Sequence, residues 1–495
     1  MSGTKTMGLS ITGFVGLIVL IYAGENLRGK AAWEKFKKDW EAKGEVFDYK
    51  QIVPKPVPAE NNFAHTPMLK ALFGDDRKLT FKELESGKKR KPLRVERLMK
   101  LKGDKPDLVR WATGRTTDLA AWQKYFRDQK DWPSPAKAGQ PADDILFALK
   151  KHEADFAELT KAAKNRTQCR FDVDYEATFA ALLPHLQVLR SAGRGYTLRA
   201  LAHLAKDDAV TAFADVRMSL FLANSIQDEP FLISHLVRIA LLDQVMQPVW
   251  EGIAGRKWNA AQLGALEQLL ADTDLLDGQR RAMLGERELA NLWIDNFRAQ
   301  KPGERTTWTE LFGDEKNVFA ALNMTPGGWL YQNQMNLNFA HVKFTQRIVN
   351  TKARRIQPEV AVAFEKHIEG LGRNPYNLLP GMLLPAVGQV GIRTGSGQAA
   401  VDHARIACLL ELHRLEHDSY PAKLEKLKAR TPHDPFTGKP YAYARAKDRY
   451  RLHGVGWNQK DDGGKLVFRD DNVNRDLKQG DLIWQYTPVK LPKGK

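Results

Sequence analysis

From Met7 to Gly24 the chain carries no charged side chain, and this run constrains the molecule more than any other feature of the sequence. About 18 residues rising about 1.5 Å each reach roughly 27 Å, the short end of a bilayer crossing. Tyr22 stands where an interfacial aromatic belongs. A cleaved signal peptide and a buried soluble helix are the competing readings. Ile21-Tyr22-Ala23 makes a poor small-x-small cleavage site, and glycine punctuation at the N-terminus suits a core helix badly. The run is therefore expected to be retained as a single-pass, signal-anchor-like transmembrane helix contacting membrane lipid.

The rest should be a water-soluble body. A mean hydropathy of −0.45 excludes a multi-spanning protein, and 43% hydrophobic with 27% charged residues is ordinary globular composition. The 495 residues leave room for about three compact units. Two cysteines, Cys169 and Cys408, exclude a disulfide framework and a cysteine-rich metal site, although one bridge stays open. Four segments are expected: anchor and juxtamembrane helix over 1–45, connector and basic segment over 46–117, helical body over 118–373, and an α+β module over 374–495. The fold class is thus mainly α, with a helical-hairpin or solenoid-like body.

After the apolar run, Glu25–Lys43 reads as a helix with Trp33, Phe36 and Trp40 at helical spacing, suited to lipid headgroups or to the protein's own body. Pro54, Pro56 and Pro58 predict an extended spacer. Arg28, Lys30, Lys35, Lys37 and Lys38 follow the run closely, which by the positive-inside rule places the body in the cytoplasm. The stretch Lys78–Arg110 is strongly basic, densest at Lys88–Lys91, and contributes to the net charge of +17. No zinc-finger spacing, RNP1-like string or phosphate loop accompanies it. Nucleic acid is not indicated, and acidic lipid or a solvated loop accounts for the lysines.

Helical periodicity predicts Leu119–Gln129, Asp143–Ala163, Tyr175–Ser191, Thr197–Ala205, Asp208–Ser225, Phe231–Ile253, Ala260–Ala271, Gln279–Gln300, Trp329–Lys352 and Glu359–Leu371. Leu198, Ala202, Ala209, Ala212, Phe213 and Leu220 place small and large residues as a tetratricopeptide-type hairpin does, without a second copy. Phe231–Asp243 is apolar nearly all round, as a buried central helix would be. Ser234, His235 and Arg238 fall within one turn of it. They are candidates for a catalytic pocket, with His235 as acid or base, or else for a buried network that fixes packing. A buried Arg238 calls for a carboxylate, with Glu229 and Asp243 nearest in sequence. The amides Gln332, Asn333, Gln334, Asn336 and Asn338 before His341 read as a solvated or inter-helix polar surface.

Past Asn374 prolines interrupt the rhythm. A helix over Gly397–Asp418 ends at Ser419-Tyr-Pro421, and strand-like alternation follows at Tyr441–Tyr443, Tyr450–Val455, Leu466–Phe468 and Leu482–Trp484. Leu409–Pro421, Asp434-Pro-Phe-Thr-Gly-Lys-Pro-Tyr441 and Tyr450–Trp457 together resemble the soluble module of type II secretion major pseudopilins, over roughly the last fifth of the chain. The resemblance implies a small pilin-like α+β module outside the cytoplasm, and calcium in its C-terminal loop. Matching oxygen donors are Asp461, Asp462, Asp470 and Asp471, with Asn458 and Asp481 nearby. The departure is that a pilin's assembly helix directly precedes this module, whereas here the apolar run lies far upstream. The whole chain also resembles a group of uncharacterised membrane-anchored bacterial proteins, a likeness that implies no activity.

His413-Arg-Leu-Glu-His417 matches a zinc-peptidase pattern, H-x-x-E-H. It falls where the pilin-like helix ends, and no third-ligand motif follows. The chain is expected to be a cell-envelope scaffold with a protein partner at the bacterial inner membrane and an extracytoplasmic body. The alternative is a membrane-tethered hydrolase with its site in the helical body.

Overall fold

The computed structural model describes residues 3–74, 91–300, 325–372, 374–446, 448–469 and 475–489, the side chains of 3–13, 15 and 386 excepted. It is mainly helical, with a small sheet region near the C-terminus.

Helix α1, Gly3–Glu41, joins the apolar run and the juxtamembrane segment into one uninterrupted helix. Its two halves differ sharply. Phe14, Leu17, Val19, Leu20, Ile21 and Leu27 are each more than half exposed, whereas Trp33 is 6% exposed. Among the described residues no helix is long and apolar enough to cross a membrane. The expected span at 7–24 falls partly on 7–13, outside the described side chains.

The downstream half packs along α10 (Gly327–Lys343). Gly29 and Gly328 make that crossing, because a Cβ on Gly29 would lie 2.3 Å from the Gly328 carbonyl oxygen. Trp33 stacks on Phe36 at 5.9 Å, and Phe47 meets both rings edge-on. The aromatic stripe therefore docks on the body.

Beyond the prolines at 54–58, the connector and basic segment feeds the core, with Phe63, Leu69, Leu72, Val95, Leu98, Met99 and Trp111 buried. Of the basic stretch, 75–90 lie outside the described residues. Arg94 pairs with Asp155 and Glu158, and Lys102 with Asp131.

The body comprises α2 (Leu119–Asp128), α3 (Pro141–Leu149), α4 (Glu153–Asn165), α5 (Pro184–Ala205), α6 (Ala209–Asn224), α7 (Leu232–Ala254), α8 (Ala260–Ala271) and α9 (Leu275–Ala299). Several expected boundaries move. The predicted 143–163 helix breaks at a 3-10 turn, Lys150–His152. Tyr175–Ala180 forms a 3-10 segment with Thr178 at φ 52°. Pro184 then starts α5, which continues through Gly193 and Gly195. Those glycines admit neighbours rather than end a helix: a Cβ would lie 2.5 Å from Leu241 at the first and 2.5 Å from Phe156 at the second. Helix α7 is buried on nearly every side among α5, α6, α9 and α13 (Val390–His417), as its all-round apolarity predicts.

Helix α10 ends at Lys343 rather than Lys352, and the hairpin β1 (Val349–Asn350) and β2 (Arg355–Ile356) follows. Helices α11 (Pro358–Glu369) and α12 (Leu378–Leu383) lead into α13. Helix α13 begins seven residues before the expected Gly397, because Gly395 is a seat for the Phe436 ring and not a break. Strands β3 (Ala442–Arg445), β4 (Tyr450–Gly454) and β7 (Leu482–Trp484) form an antiparallel sheet in the order β3-β4-β7. Strands β5 (Leu466–Phe468) and β6 (Arg475–Gly480) pair separately. The sheet lies against α13, and Trp484 meets Trp111 with ring centres 5.5 Å apart, so the 46–117 segment and the C-terminal sheet share one core. Cys169 and Cys408 are both free thiols.

Candidate functional site

The candidate trio lies at the start of α7, where Phe231 precedes the helix without a capping oxygen. Two carboxylates from elsewhere serve that end. Glu286 of α9 accepts the Leu232 N–H at 2.9 Å, and Glu229 accepts the Ser234 hydroxyl at 2.5 Å. Glu229 also lies 2.7 Å from His185 Nε2, a fully buried ring stacked on Phe171. Carboxylates belong at a helix N-terminus, where N–H groups and the helix dipole favour negative charge. Ser234 is thereby committed to a structural bond and makes none to His235.

His235 turns the other way. Its Nε2 bonds Thr394 of α13 at 2.9 Å, while Nδ1 faces the backbone at Gly278, where a Cβ would come within 2.9 Å. Burial, reinforced by the Arg238 cation, pushes the ring down to about 3, so it stays neutral.

Arg238 corrects one expectation. Buried though it is, it has no carboxylate within ion-pair range among the described residues. Its guanidinium donates to Asn224 Oδ1 (2.9 Å), Gln227 Oε1 (3.3 Å) and the Asp274 carbonyl (3.2 Å). Neutral acceptors satisfy the N–H groups, and the Asp274 and Asp228 carboxylates act at longer range. Desolvation still pushes the guanidinium down to about 10. Asp243, expected as a partner, instead accepts the Trp111 indole N–H at 3.2 Å. The three residues thus tie α7 to α6, to α13 and to the turn between α6 and α7.

At the C-terminal loop, Asp461 converges with Asp481 and with His453, a residue outside the expected oxygen set, the ligand atoms all lying within 4.8 Å of one another. Asp462 accepts from Asn458 instead, and Asp470 and Asp471 lie outside the described residues. His453 Nε2 is 3.0 Å from Asp461 Oδ1. Asp481 Oδ2 takes the Gly464 N–H at 2.6 Å, and Asp461 Oδ1 takes that of Gly463 at 2.9 Å. Calcium calls for about six to eight oxygen ligands, and one imidazole with two hydrogen-bonded carboxylates fits it poorly. The same groups hold the loop closed without an ion.

The H-x-x-E-H residues make no three-ligand cluster among the described residues, although the His413 and His417 rings lie 4.3 Å apart. His413 Nδ1 bonds the Ser419 carbonyl at 3.0 Å, and Glu416 pairs with Lys428 at 2.5 Å.

The Asp-Pro-x-x-Gly-x-Pro-Tyr segment is structural. Asp434 accepts the Phe436 N–H at 2.7 Å and the Val455 N–H at 2.8 Å, while Gly438, at φ 71°, closes the turn. Tyr441 donates to Asp402 of α13 at 3.0 Å.

Two buried networks lie beyond these candidates. The amides of α10, expected as a solvated or inter-helix polar surface, take the inter-helix alternative: Asn333, Gln334 and Asn338 have no exposure. Asn338 donates to Asn291 Oδ1 of α9 at 2.6 Å, and Asn333 caps Leu379 N at 2.9 Å. Arg287, fully buried, donates to Glu45 (2.6 Å), the Val46 carbonyl (2.5 Å) and Glu288 (2.8 Å). Residues far apart in sequence complete both networks, so no local signal marks them. No protein-family model matches the chain, and neither a curated protein nor a solved structure matches it.

Proposed function

We propose that the protein is a membrane-tethered, non-catalytic scaffold of the bacterial envelope. The observation that carries this reading is the division of α1: its downstream half is fixed to the body, while Phe14, Leu17, Ile18, Val19, Leu20 and Ile21 present large apolar side chains to the outside. Exposed apolar surface of this extent calls for lipid or a partner. The reading takes 7–24 as the tether, including 7–13, where the sequence is equally free of charge.

The Ser234–His235–Arg238 region supports a structural role over a hydrolase, since its polar groups are spent on fixed neighbours: Ser234 on Glu229, His235 on Thr394 and Arg238 on Asn224. The order of long helix, Tyr420-Pro421 turn and small sheet supports a pilin-like module and an extracytoplasmic body. The body's protein partner would meet it there.

The test is protease accessibility in spheroplasts, with alkaline extraction of membranes. The full chain should resist extraction, its body should be degraded from outside, and a chain lacking 1–24 should be released. Extraction of the intact chain, or retention of the shortened one, would overturn the tether. Protection of the body until lysis would overturn its placement.

A further inference from the structure

A cavity of about 340 Å³ lies where α7 and α13 meet strands β6 and β7. That volume is at the lower end of small-molecule sites, roughly 300–1,000 Å³. Its walls are mostly apolar, formed by Trp111, Leu236, Met246 and Ile483 among others. Into this lining come five polar side chains: Asp243, Arg393, Ser396, His403 and Arg475.

Their bonding is incomplete. The Ser396 hydroxyl and both ring nitrogens of His403 are shielded from water and have no hydrogen-bond partner. Native interiors rarely leave such groups orphaned, and each one calls for an explanation. Arg475 stands 5.7 Å from the centre of the Trp111 ring, with Asp243 as its attracting countercharge. Asp243 already accepts the Trp111 indole N–H. Arg393 is exposed, so the cavity reaches solvent beside it.

The charge balance selects the guest. Two guanidinium groups face one carboxylate, and His403, pushed down to about 3 by burial, is neutral. A neutral imidazole offers one donor and one acceptor, and a serine hydroxyl can donate as well. The lining is therefore one positive charge in excess, with neutral donors beside it and hydrocarbon elsewhere.

We propose that this cavity binds a small apolar monocarboxylate, its carboxylate held by Arg475 with Ser396 and His403, and its hydrocarbon body against Trp111, Met246 and Ile483. This assigns a ligand site at the joint between helical body and C-terminal sheet, independent of the tether.

The experiment is titration calorimetry of the full chain in lipid nanodiscs with 3-phenylpropanoate, compared with 3-phenylpropylamine and 3-phenylpropan-1-ol. The acid should bind saturably with one site per chain, and the amine should not bind in the same range. Arg475→Gln should weaken the acid about ten- to a hundredfold, as expected for losing a hydrogen bond to a charged group. Ala400→Leu, which fills the cavity from α13, should abolish binding while leaving the helical circular dichroism intact. Equal binding of acid and amine, tighter binding of the amine, no binding of the acid at millimolar concentration, or undiminished binding by folded Ala400→Leu would each overturn the proposal. Should Arg475→Gln fail to fold, the acid-against-amine comparison and Ala400→Leu decide the matter alone.

Discussion

Replacing Arg287 by methionine should be among the most damaging single changes in the helical body. The guanidinium is fully buried and touches Glu288, Glu45 and the Val46 carbonyl, with Phe47 beneath it at 4.6 Å. Methionine fills much of the volume, so the cost is electrostatic. Glu288 is 2% exposed and would keep a buried carboxylate without its hydrogen-bonded cation, Lys37 acting only at longer range. Removing one partner of a buried pair costs about 3–5 kcal/mol.

The loss must depend on pH. Burial already pushes Glu288 up to about 7 in the native protein, and without Arg287 the carboxyl rises further. A carboxyl raised on folding is stabilising below its unfolded value, and that stability is lost as pH rises through the folded value. The Arg287→Met penalty should therefore be largest near pH 8 and shrink toward pH 5.5. The change is at most about 1.4 kcal/mol for each pH unit. Glu288→Gln in the same background should recover much of the loss at pH 8 and flatten the profile. Urea denaturation at both pH values, read as midpoint shifts at constant slope, measures this. A penalty below about 1 kcal/mol, or one equal at both pH values, would refute the assignment of Arg287 and Glu288 as a coupled buried pair.

Three further expectations follow from the packing. Gly328→Ala would place a methyl 1.9 Å from the Glu25 carbonyl oxygen, so α1 should lift from α10 at a cost of about 1–3 kcal/mol. Limited proteolysis near 41–48 should then accelerate, and an unchanged rate would argue against the crossing. Asp215, pushed up to about 7 by burial despite Arg199 at 3.4 Å, is better buried as the acid. Asp215→Asn should therefore gain melting temperature relative to the native chain at pH 8 but not at pH 4.5, and equal effects at both would dismiss the shift. Asp434→Ala strands the Phe436 and Val455 N–H groups, for about 2–5 kcal/mol. Thermal unfolding that leaves the C-terminal sheet as stable as before would contradict that role.

Most helices were legible in their periodicity. Asn259 builds a capping box with Gln262, while α7 shows its burial in its all-round apolarity. Errors cluster at glycine. Gly193, Gly195 and Gly395 read as punctuation in one dimension, yet each admits a large neighbouring side chain against a helix that runs straight through. Asn333, Gln334 and Asn338 left two readings open, solvated or inter-helix, and only the facing helix that supplies Asn291 selects the second. Of the candidate sites, Asp461 was visible as an acid in a glycine turn, but Asp481 comes beside His453 only through the pairing of β4 with β7. Arg238 was correctly marked as a buried cation, though the amides that satisfy it come from α6 and the turn after it.

Helix α1 has no joint between its exposed and docked halves. It spans 39 residues, about 60 Å of continuous rod, and is clamped at the Gly29–Gly328 crossing and again where Arg287 grips Glu45 and Val46. If the exposed half is the proposed tether, this rod acts as a mast and not as a flexible leash, and fixes the height and heading of the body. A bend introduced at Gly24, where nothing packs within 4 Å, would then spoil that alignment without altering any contact in the interior.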